Sequence, residues 1–402
     1  MTIEQIQKQF PILSREVNGK SLVYLDSAAS ALKPKCVADA VSEYYTNGTA
    51  NVHRGVHHLS ERATQLFELG RQKVAKFINA PESHTIFVPS TTFGINMARL
   101  ALEPMFTAGD ELIISQLEHH SNLIPWQMLA KRTGAKIRVI PLKPEGTLDI
   151  EAYKALINKR TKLVAVSHVS NAIGTINPVK EIVAIARQAG ALTLIDGAQA
   201  VCHLRVDVQD LDCDFYVFSG HKLFGPTGVG VLYGRKGVLD DLEPVIGGGS
   251  MIASVDYEQS TYADLPYRWE AGTPSISGVI GMGEAISFLE KTGWDFIQKQ
   301  ENTLLQLAWK ELSRIEGLTV YGPRSERAPI FSFTLGDVHP HDIGSILDAE
   351  GVAVRAGHHC CQPLMKKIGV PATTRASFAF YNREEDVYRL CDAILQVKKV
   401  FQ

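Results

Sequence analysis

Two predicted buried strands end in residues that could do chemistry together. Asp196 ends the apolar run 192–196, and Lys222 follows the run 215–219 after a short Gly-His turn. In an open α/β sheet the carboxyl ends of neighbouring strands face one crevice, where ligands bind. A carboxylate and a lysine that meet there suit pyridoxal phosphate, since the acid can pair with the pyridinium nitrogen and the lysine can form a Schiff base. An ordinary ion pair at the sheet edge is the alternative.

A group of hydroxyl residues opens a predicted helix at a third strand end. Ser90, Thr91 and Thr92 follow the run 85–88 after Pro89. Hydroxyl and backbone N–H groups at a helix N-terminus form a ready anion site, although Ser and Thr there can also be plain helix caps. Ser219 and His221 add donors beside the lysine, so these pieces could converge on one phosphate.

Further polar side chains follow the other predicted strands. His119 and His120 are sequence neighbours, and neighbours on one chain rarely chelate the same ion, so either ring could instead stack on a flat aromatic cofactor. Asn171 and Gln199 also follow strand ends and are expected in the same crevice, where they could hydrogen-bond the cofactor's phenolic oxygen.

A loop near the C-terminus presents two histidines and two cysteines. A strand is predicted to end at Arg355, and His358, His359, Cys360 and Cys361 follow it. A nearby His or Arg lowers the pKa of a thiol, which makes a thiolate accessible near neutral pH. A zinc site needs four ligands at workable spacing, and no C-x-x-C pair occurs in the sequence. A nucleophilic thiol therefore fits better than a zinc site or a structural thiol.

A parallel sheet is needed to bring these residues together, and residues 85–235 predict one. Apolar strand runs alternate there with helical periodicity, which is typical of βαβ units. The predicted strands are 85–88, 111–115, 137–140, 163–167, 192–196, 215–219 and 230–233. The predicted helices between them are 94–101, 124–133, 151–156 and 179–189, the last one ending at Gly190.

The remaining sequence predicts a smaller α+β domain. Residues 247–266 are Gly-rich and then polar, which indicates a long excursion rather than sheet. A long helical stretch is expected from residue 278 to about 315. Strand candidates 330–334, 352–355 and 374–378 then alternate with helices, and Arg375 in the last of them could bind a substrate carboxylate bidentately.

Length and composition are typical of a two-domain soluble enzyme. The 402 residues exceed what one hydrophobic core normally serves, and 45% are hydrophobic and 21% charged. A net charge of −2 gives no electrostatic reason to expect nucleic acid or a membrane surface as a partner. Residues 1–8 predict a short amphipathic helix rather than a signal peptide, and six scattered cysteines without a C-x-x-C pair form no disulfide framework. We therefore expect a reduced, cytoplasmic protein.

Taken together, these segments resemble the class V, fold-type I pyridoxal-phosphate enzymes. Within that class the sequence is similar to the group II cysteine desulfurases of the SufS type, whose relatives also act as selenocysteine lyases. The resemblance runs nearly from end to end. It covers residues 24–29, 51–55, 118–120, 196–199, 219–222, 268–274, 355–360 and 375–377.

The resemblance implies a fold and a set of site residues. The large domain, residues 20–285, would carry a mostly parallel seven-stranded sheet and bind the cofactor, and residues 1–19 and 286–402 would form the small α+β domain with the cysteine loop. The implied catalytic residues are Lys222 as the Schiff-base lysine, Cys360 as the sulfur-accepting nucleophile, and His119 stacked on the ring. The implied cofactor-binding residues are Thr91, Thr92, His119, Asp196, Gln199, Ser219, His221, Lys222 and, from the other subunit of a homodimer, Thr273. The implied substrate-binding residues are Asn171, Arg355 and Arg375.

The implied activity is the conversion of L-cysteine to L-alanine, with the sulfur transferred to Cys360 as a persulfide for iron–sulfur cluster assembly. A SufE- or SufU-like protein would accept this sulfur. Selenocysteine lyase is the alternative activity, and a non-enzymatic thiol- or metal-binding protein is an alternative of another class.

The sequence departs from the family pattern at two places. Residues 89–93 read Pro-Ser-Thr-Thr-Phe where the family has Arg-Gly-Thr-Thr-Glu, so an acidic group is replaced by Phe93. The residue after the nucleophile is usually small and unreactive, whereas here it is Cys361. Two adjacent thiols could pass sulfur between them or oxidise together, and an inert neighbouring thiol is the alternative.

Overall fold

A computed structural model describes residues 2–401, and its centre is a seven-stranded sheet. In chain order the strands are β1 (Thr85–Val88), β2 (Glu111–Ser115), β3 (Lys136–Ile140), β4 (Thr161–Ser167), β5 (Leu192–Asp196), β6 (Phe215–Ser219) and β7 (Gly230–Gly234). Their spatial order is β1-β7-β6-β5-β4-β2-β3. Strand β7 is antiparallel to both of its neighbours, and the other pairs are parallel. The predicted seven-stranded, mostly parallel sheet is confirmed.

Helices cover both faces of this sheet, which explains why its central strands are almost continuously apolar. Along β6, Phe215 and Val217 belong to one core cluster, and Tyr216 and Phe218 belong to the other. The helices of the chain are Ile3–Gln7, Lys35–Asn47, His58–Phe77, Thr91–Leu102, Ile124–Thr133, Ile150–Leu156, Val179–Gln188, Val208–Leu211, Ile276–Thr292, Trp294–Leu312, Pro340–Ala349, Gln362–Ile368 and Glu384–Phe401. The short first helix and the four predicted crossover helices are all present, and Gly190 follows its helix with a φ of +76°.

The excursion at residues 247–266 contains a β-hairpin, so the prediction that it holds no sheet was wrong. Its strands are β8 (Ile252–Val255) and β9 (Ser260–Tyr262), which pair antiparallel. The hairpin is largely exposed, with Tyr257 fully exposed at its turn. A strand with no buried face leaves no apolar run in the sequence, and for this reason the composition indicated a loop.

A second, antiparallel sheet lies in the C-terminal part of the chain. Its strands are β10 (Leu318–Tyr321), β11 (Ile330–Leu335), β12 (Arg355–Gly357) and β13 (Thr373–Ser377), in the spatial order β10-β11-β13-β12. Helices Trp294–Leu312, Pro340–Ala349 and Glu384–Phe401 share its apolar core. The smaller α+β unit is therefore present.

Two predicted elements of this unit are divided. The helical stretch expected from 278 to about 315 breaks at Gly293, whose φ of +88° ends one helix before Trp294 starts the next. The strand expected at 352–355 splits, because Val352–Ala353 pairs with Val23–Tyr24 whereas Arg355 begins β12. The loop with the two cysteines therefore follows Gly357, not Arg355.

The domain division at residues 19/20 and 285/286 stays a prediction. Helix Ile276–Thr292 continues through the second of these positions. Residues 1 and 402, which the predicted small domain includes, lie outside the described residues. Within residues 2–401, none of the helices has the length and apolar character needed to cross a membrane.

Candidate active site

A cavity of about 310 Å³ lies where the parallel strands end. Strands β1, β2, β4, β5 and β6 run in the same direction, so the residues that follow them reach the same sheet edge. Twelve of the thirteen predicted site residues line this cavity, namely Thr91, Thr92, His119, Asn171, Asp196, Gln199, Ser219, His221, Lys222, Arg355, Cys360 and Arg375. The thirteenth, Thr273, lies elsewhere.

Asp196 and Lys222 form the charged floor of the cavity. Asp196 ends β5, is buried, and accepts a hydrogen bond from the backbone N–H of Ala198 at 2.9 Å. Burial raises the pKa of Asp196, and the charge of Lys222 opposes this shift. Burial lowers the pKa of Lys222, and Asp196 opposes this shift in turn. A lysine with a lowered pKa is more readily available as a free amine for covalent chemistry near neutral pH.

Two glycines allow the floor of the cavity to pack tightly. A Cβ at Gly197 would lie 2.0 Å from the ring of Tyr216 on β6, so the turn after Asp196 can rest on β6 only without a side chain. A Cβ at Gly220 would lie 2.9 Å from Val229 and 3.1 Å from the carbonyl oxygen of Pro226. Glycine at these positions holds the acid and the lysine at one edge of the sheet.

The hydroxyl residues form a connected group at the start of helix Thr91–Leu102. The backbone N–H and the hydroxyl of Thr91 contact Ser219 Oγ at 2.8 and 2.7 Å. Thr92 Oγ1 contacts Ser121 Oγ at 2.6 Å, and Ser90 caps the helix by accepting from the N–H of Phe93 at 3.3 Å. A helix N-terminus with several hydroxyls is suited to an anion such as a phosphate.

His119 presents a neutral imidazole to the cavity. Burial lowers its pKa to about 3, and the nearby charge of Lys222 adds to the shift. Its Nδ1 accepts from the N–H of Ser121 at 3.0 Å. The remaining proton therefore lies on Nε2, and the uncharged ring is available for stacking.

Several buried polar atoms around the cavity have no partner. Within residues 2–401 ten buried side-chain nitrogen and oxygen atoms lack a hydrogen bond, and four of them belong to residues that line this one cavity. These four are Ser167 Oγ, Gln199 Oε1, His359 Nδ1 and Arg375 Nε. Because buried polar groups are almost always paired in native proteins, this concentration indicates a polar ligand. The donor set fits pyridoxal phosphate, with hydroxyls for the phosphate, an acid for the ring nitrogen and a lysine for the aldehyde.

The cysteine loop brings one thiol to the cavity and buries the other. Cys360 is exposed and has a φ of +56°, and His359 before it has a φ of +52°. Cys361 is fully buried, and its Sγ donates to Asn171 Oδ1 at 3.2 Å. Burial raises the pKa of Cys361 to about 12. Of these two thiols, Cys360 is the one that lines the cavity.

The predicted carboxylate-binding residues are connected to each other. Arg375 is buried and donates to the backbone carbonyl of Asn171 at 2.7 Å. Asn171 Nδ2 donates in turn to the carbonyl of His359 at 2.7 Å. The amide of Asn171 thus binds the cysteine loop on both sides, a role that its position after a strand does not reveal.

Three residues that are not among the thirteen predicted site residues contact residues of this cavity. Asp26 accepts hydrogen bonds from Arg355 at 2.9 Å and from Arg375 at 3.3 Å. Glu118 is fully buried, which raises its pKa to about 8. His120 donates from its backbone to the carbonyl of Cys360 at 2.7 Å. Two signals in the sequence point to Asp26, which follows an apolar run as Asp196 does and lies in the segment 24–29 that carries part of the resemblance.

Thr273 lines a separate cavity of about 160 Å³ together with Phe93, Trp269 and Gly272. Phe93, which replaces the family's acid, also lines this second cavity, and its side chain is partly exposed. Within a single chain, neither residue lines the cavity of Lys222.

None of the described residues forms a metal centre. Within residues 2–401 there is no group of three or more His, Cys, Asp and Glu side chains arranged to hold a metal ion. All six cysteines are free thiols.

Comparison with known proteins places this geometry in a family. A family model described as Aminotransferase class-V matches residues 23–390. The chain is 51% identical to a probable cysteine desulfurase from Halalkalibacterium halodurans over 100% of its own length and 99% of the relative's. Among solved structures, a cysteine desulfurase from Thermococcus onnurineus NA1 superposes with a TM-score of 0.95 at 41% identity and covers 99% of both chains. The cysteine desulfurase CsdA from Escherichia coli superposes with a TM-score of 0.92 at 37% identity and covers 100% of this chain and 99% of its own.

Proposed function

This chain belongs to the class-V aminotransferase family, and we propose that it is a pyridoxal-phosphate-dependent cysteine desulfurase that converts L-cysteine to L-alanine. The observation that carries the proposal is that one cavity holds Asp196 and Lys222 at its base and the exposed thiol of Cys360 in its wall. The acid and the lysine suit the cofactor, and the thiol narrows the reaction to sulfur abstraction. Relatives with the same activity in their names support this assignment over the whole chain.

We propose the predicted residues as the ligands of the cofactor. Lys222 would hold its aldehyde carbon, Asp196 would keep a proton on its ring nitrogen, and His119 would stack on its ring. The phosphate would be bound by Thr91, Thr92, Ser219 and His221, and the phenolic oxygen by Gln199. When bound, pyridoxal phosphate supplies an electron sink that stabilises negative charge on the Cα of an amino acid.

The side chains of this protein would carry out the remaining work. Lys222, whose pKa is lowered by burial, would act as the base that moves a proton at the Cα of the substrate. Arg375 and Arg355 would hold the substrate carboxylate, and Asn171 would keep the cysteine loop against it. Cys360 Sγ then attacks the substrate sulfur, so that an S–S bond forms and the Cβ–S bond breaks. The electron pair of the broken bond stays on carbon, which takes up a proton to give alanine.

We further propose the cellular setting that the resemblance implies. The enzyme would be a cytoplasmic homodimer that supplies persulfide sulfur for iron–sulfur cluster assembly, with a SufE- or SufU-like protein as acceptor. Thr273 would complete the phosphate site of the other subunit, because in its own chain it lies apart from Lys222. The hairpin of β8 and β9 is a candidate docking or gating element.

The test is to measure the visible spectrum of the purified protein before and after L-cysteine and to quantify alanine and sulfide. We expect a cofactor band that changes on addition of substrate, and equal amounts of alanine and sulfur. The variant Cys360→Ser should keep the cofactor band and lose sulfur transfer, whereas Cys36→Ser, a cysteine outside the cavity, should behave as wild type. Unchanged sulfur release by Cys360→Ser would refute the assignment.

A further inference from the structure

The loop that carries Cys360 needs stabilising contacts from other parts of the chain. Its residues His359 and Cys360 both have left-handed backbones, with φ values of +52° and +56°. Such a conformation is unfavourable for a residue with a side chain and persists only where the surroundings fix it. Within the loop itself, the N–H of Cys360 donates to Nδ1 of His358 at 3.1 Å.

His120 contacts this loop on both sides of Cys361. Its backbone N–H donates to the carbonyl oxygen of Cys360 at 2.7 Å, and its Nε2 accepts from the backbone N–H of Gln362 at 3.2 Å. Gln362 is the first residue of helix Gln362–Ile368, where N–H groups have no acceptor within the helix. The residue at the cap position, Cys361, provides no side-chain acceptor. The imidazole of His120, from a distant part of the chain, therefore caps this helix by accepting the hydrogen bond of its first N–H group.

The same histidine is also connected to the cofactor side of the cavity. It directly follows His119, which lines the cavity, and it begins the short turn His120–Asn122. Its ring lies 5.6 Å from that of His358, centroid to centroid. A shift of the cysteine loop relative to His119 would break at least one of its two contacts.

From this geometry we propose that His120 is a positioning residue, which fixes the nucleophile Cys360 relative to the ring stacked on His119. The inference rests on the proposed function in taking Cys360 as the nucleophile and His119 as the residue that stacks on the cofactor. Because Nε2 accepts a hydrogen bond, the proton of the neutral ring lies on Nδ1. Burial and the nearby His358 lower the pKa of His120, which keeps Nε2 free to accept.

The experiment compares three substitutions at this position. His120→Phe keeps a ring of similar shape and removes the acceptor, His120→Leu removes both, and His120→Gln keeps an acceptor at a similar reach. Exposed His341, whose side chain lies outside the cavity, provides the control His341→Phe. Amide hydrogen exchange of the peptide covering residues 357–364 reports directly on the N–H of Gln362 and needs no enzymatic turnover.

We expect faster exchange of this peptide in the Phe and Leu variants and near-wild-type exchange in the Gln and His341 variants. We also expect kcat with L-cysteine to fall about tenfold or more in the Phe and Leu variants, because a small displacement of a reacting group is costly. KM should change little, since His120 is not among the residues proposed to bind the substrate. His120→Gln should recover most of kcat.

Each outcome decides the proposal. Unchanged exchange in both Phe and Leu variants, or faster exchange with unchanged kcat, would overturn it. A loss in His120→Gln as large as in His120→Phe would also overturn it, because the acceptor would then not matter. If the Leu variant does not fold, the comparison of Phe with Gln still decides. If wild type releases no sulfur from L-cysteine, the proposed function fails, while the exchange data still test whether His120 holds the loop.

Discussion

Cys361 Sγ donates a hydrogen bond to Asn171 Oδ1 over 3.2 Å, although the two residues are 190 positions apart in the sequence. Burial raises the pKa of this thiol to about 12, so it is protonated at neutral pH and can serve as the donor. The Nδ2 atom of the same Asn171 amide donates to the carbonyl of His359 at 2.7 Å. Of the roles open from the sequence, an inert neighbouring thiol is therefore favoured over one that relays sulfur, and the structure adds that this thiol orients Asn171.

This relationship predicts where sulfur is found after turnover. After a pulse of L-cysteine, mass mapping of the peptide that contains both cysteines should place one extra sulfur on Cys360 and none on Cys361. Cys361→Ala should still accept sulfur but lose about 1–3 kcal/mol in its free energy of unfolding, because a buried hydrogen bond and sulfur packing are removed. Cys361→Ser, which keeps a donor, should lose less. Persulfide sulfur on Cys361 would contradict this reading.

A second prediction concerns Asp26, which joins the two arginines proposed to bind the substrate carboxylate. Asp26→Asn leaves Arg375, only 2% exposed, without a charged partner. We expect a loss of about 1–3 kcal/mol in the free energy of unfolding, because a buried charge loses its compensation. We also expect a higher KM for L-cysteine.

Chemical denaturation and steady-state kinetics measure both effects. Asp337→Asn, at an exposed carboxylate on the protein surface, is the matched control and should change neither. An unchanged KM in Asp26→Asn would show that Asp26 does not orient the arginines for substrate.

The seven-stranded sheet could be predicted because its parallel strands share one local pattern, an apolar run that ends in polar residues. Buried parallel strands are apolar until the residue at which they meet the crevice, and β1, β2, β5 and β6 were predicted with the observed bounds. The polar residue after each strand is therefore also predictable as a site residue. Where this contrast is missing, as in the exposed strands β8 and β9, the sequence indicated no strand. Gly293 was missed because helical periodicity continues on both sides of it.

The contacts that organise the cysteine loop could not be predicted in the same way. His120 and Gln362 are 242 positions apart, and Asp26 and Arg355 are 329 apart. No spacing rule connects residues at such distances, because their meeting depends on how the two sheets pack together. The sequence therefore predicted which residues gather at the cavity, and the structure adds how they contact each other.

A third prediction is the pH dependence of Lys33. Burial lowers the pKa of Lys33 to about 8, and its ammonium donates to the carbonyl of His221 at 2.9 Å, with no carboxylate of residues 2–401 in contact. Because the folded pKa is depressed, the amine is half free at pH 8, whereas a lysine with the ordinary value of 10.5 would be only about 0.3% free there.

Competitive labelling with an amine-reactive reagent between pH 6 and 11 tests this. Labelling of the Lys33 peptide should rise with a midpoint near pH 8, with exposed Lys35 as the internal reference for reagent reactivity. A midpoint for Lys33 near 10.5 would contradict the prediction.

The last prediction tests whether Thr273 acts across subunits. Lys222→Ala removes the lysine from a site, and Thr273→Glu places a negative charge where the cofactor's phosphate would lie. Each variant alone should be inactive. If each site uses Lys222 of one chain and Thr273 of the other, a mixed dimer keeps one intact site. Because random mixing of a two-fold dimer makes half of the dimers mixed, refolding the two variants together should restore about a quarter of the wild-type activity. If Thr273 serves the site of its own chain, every site in the mixture carries a defect, and no activity should return.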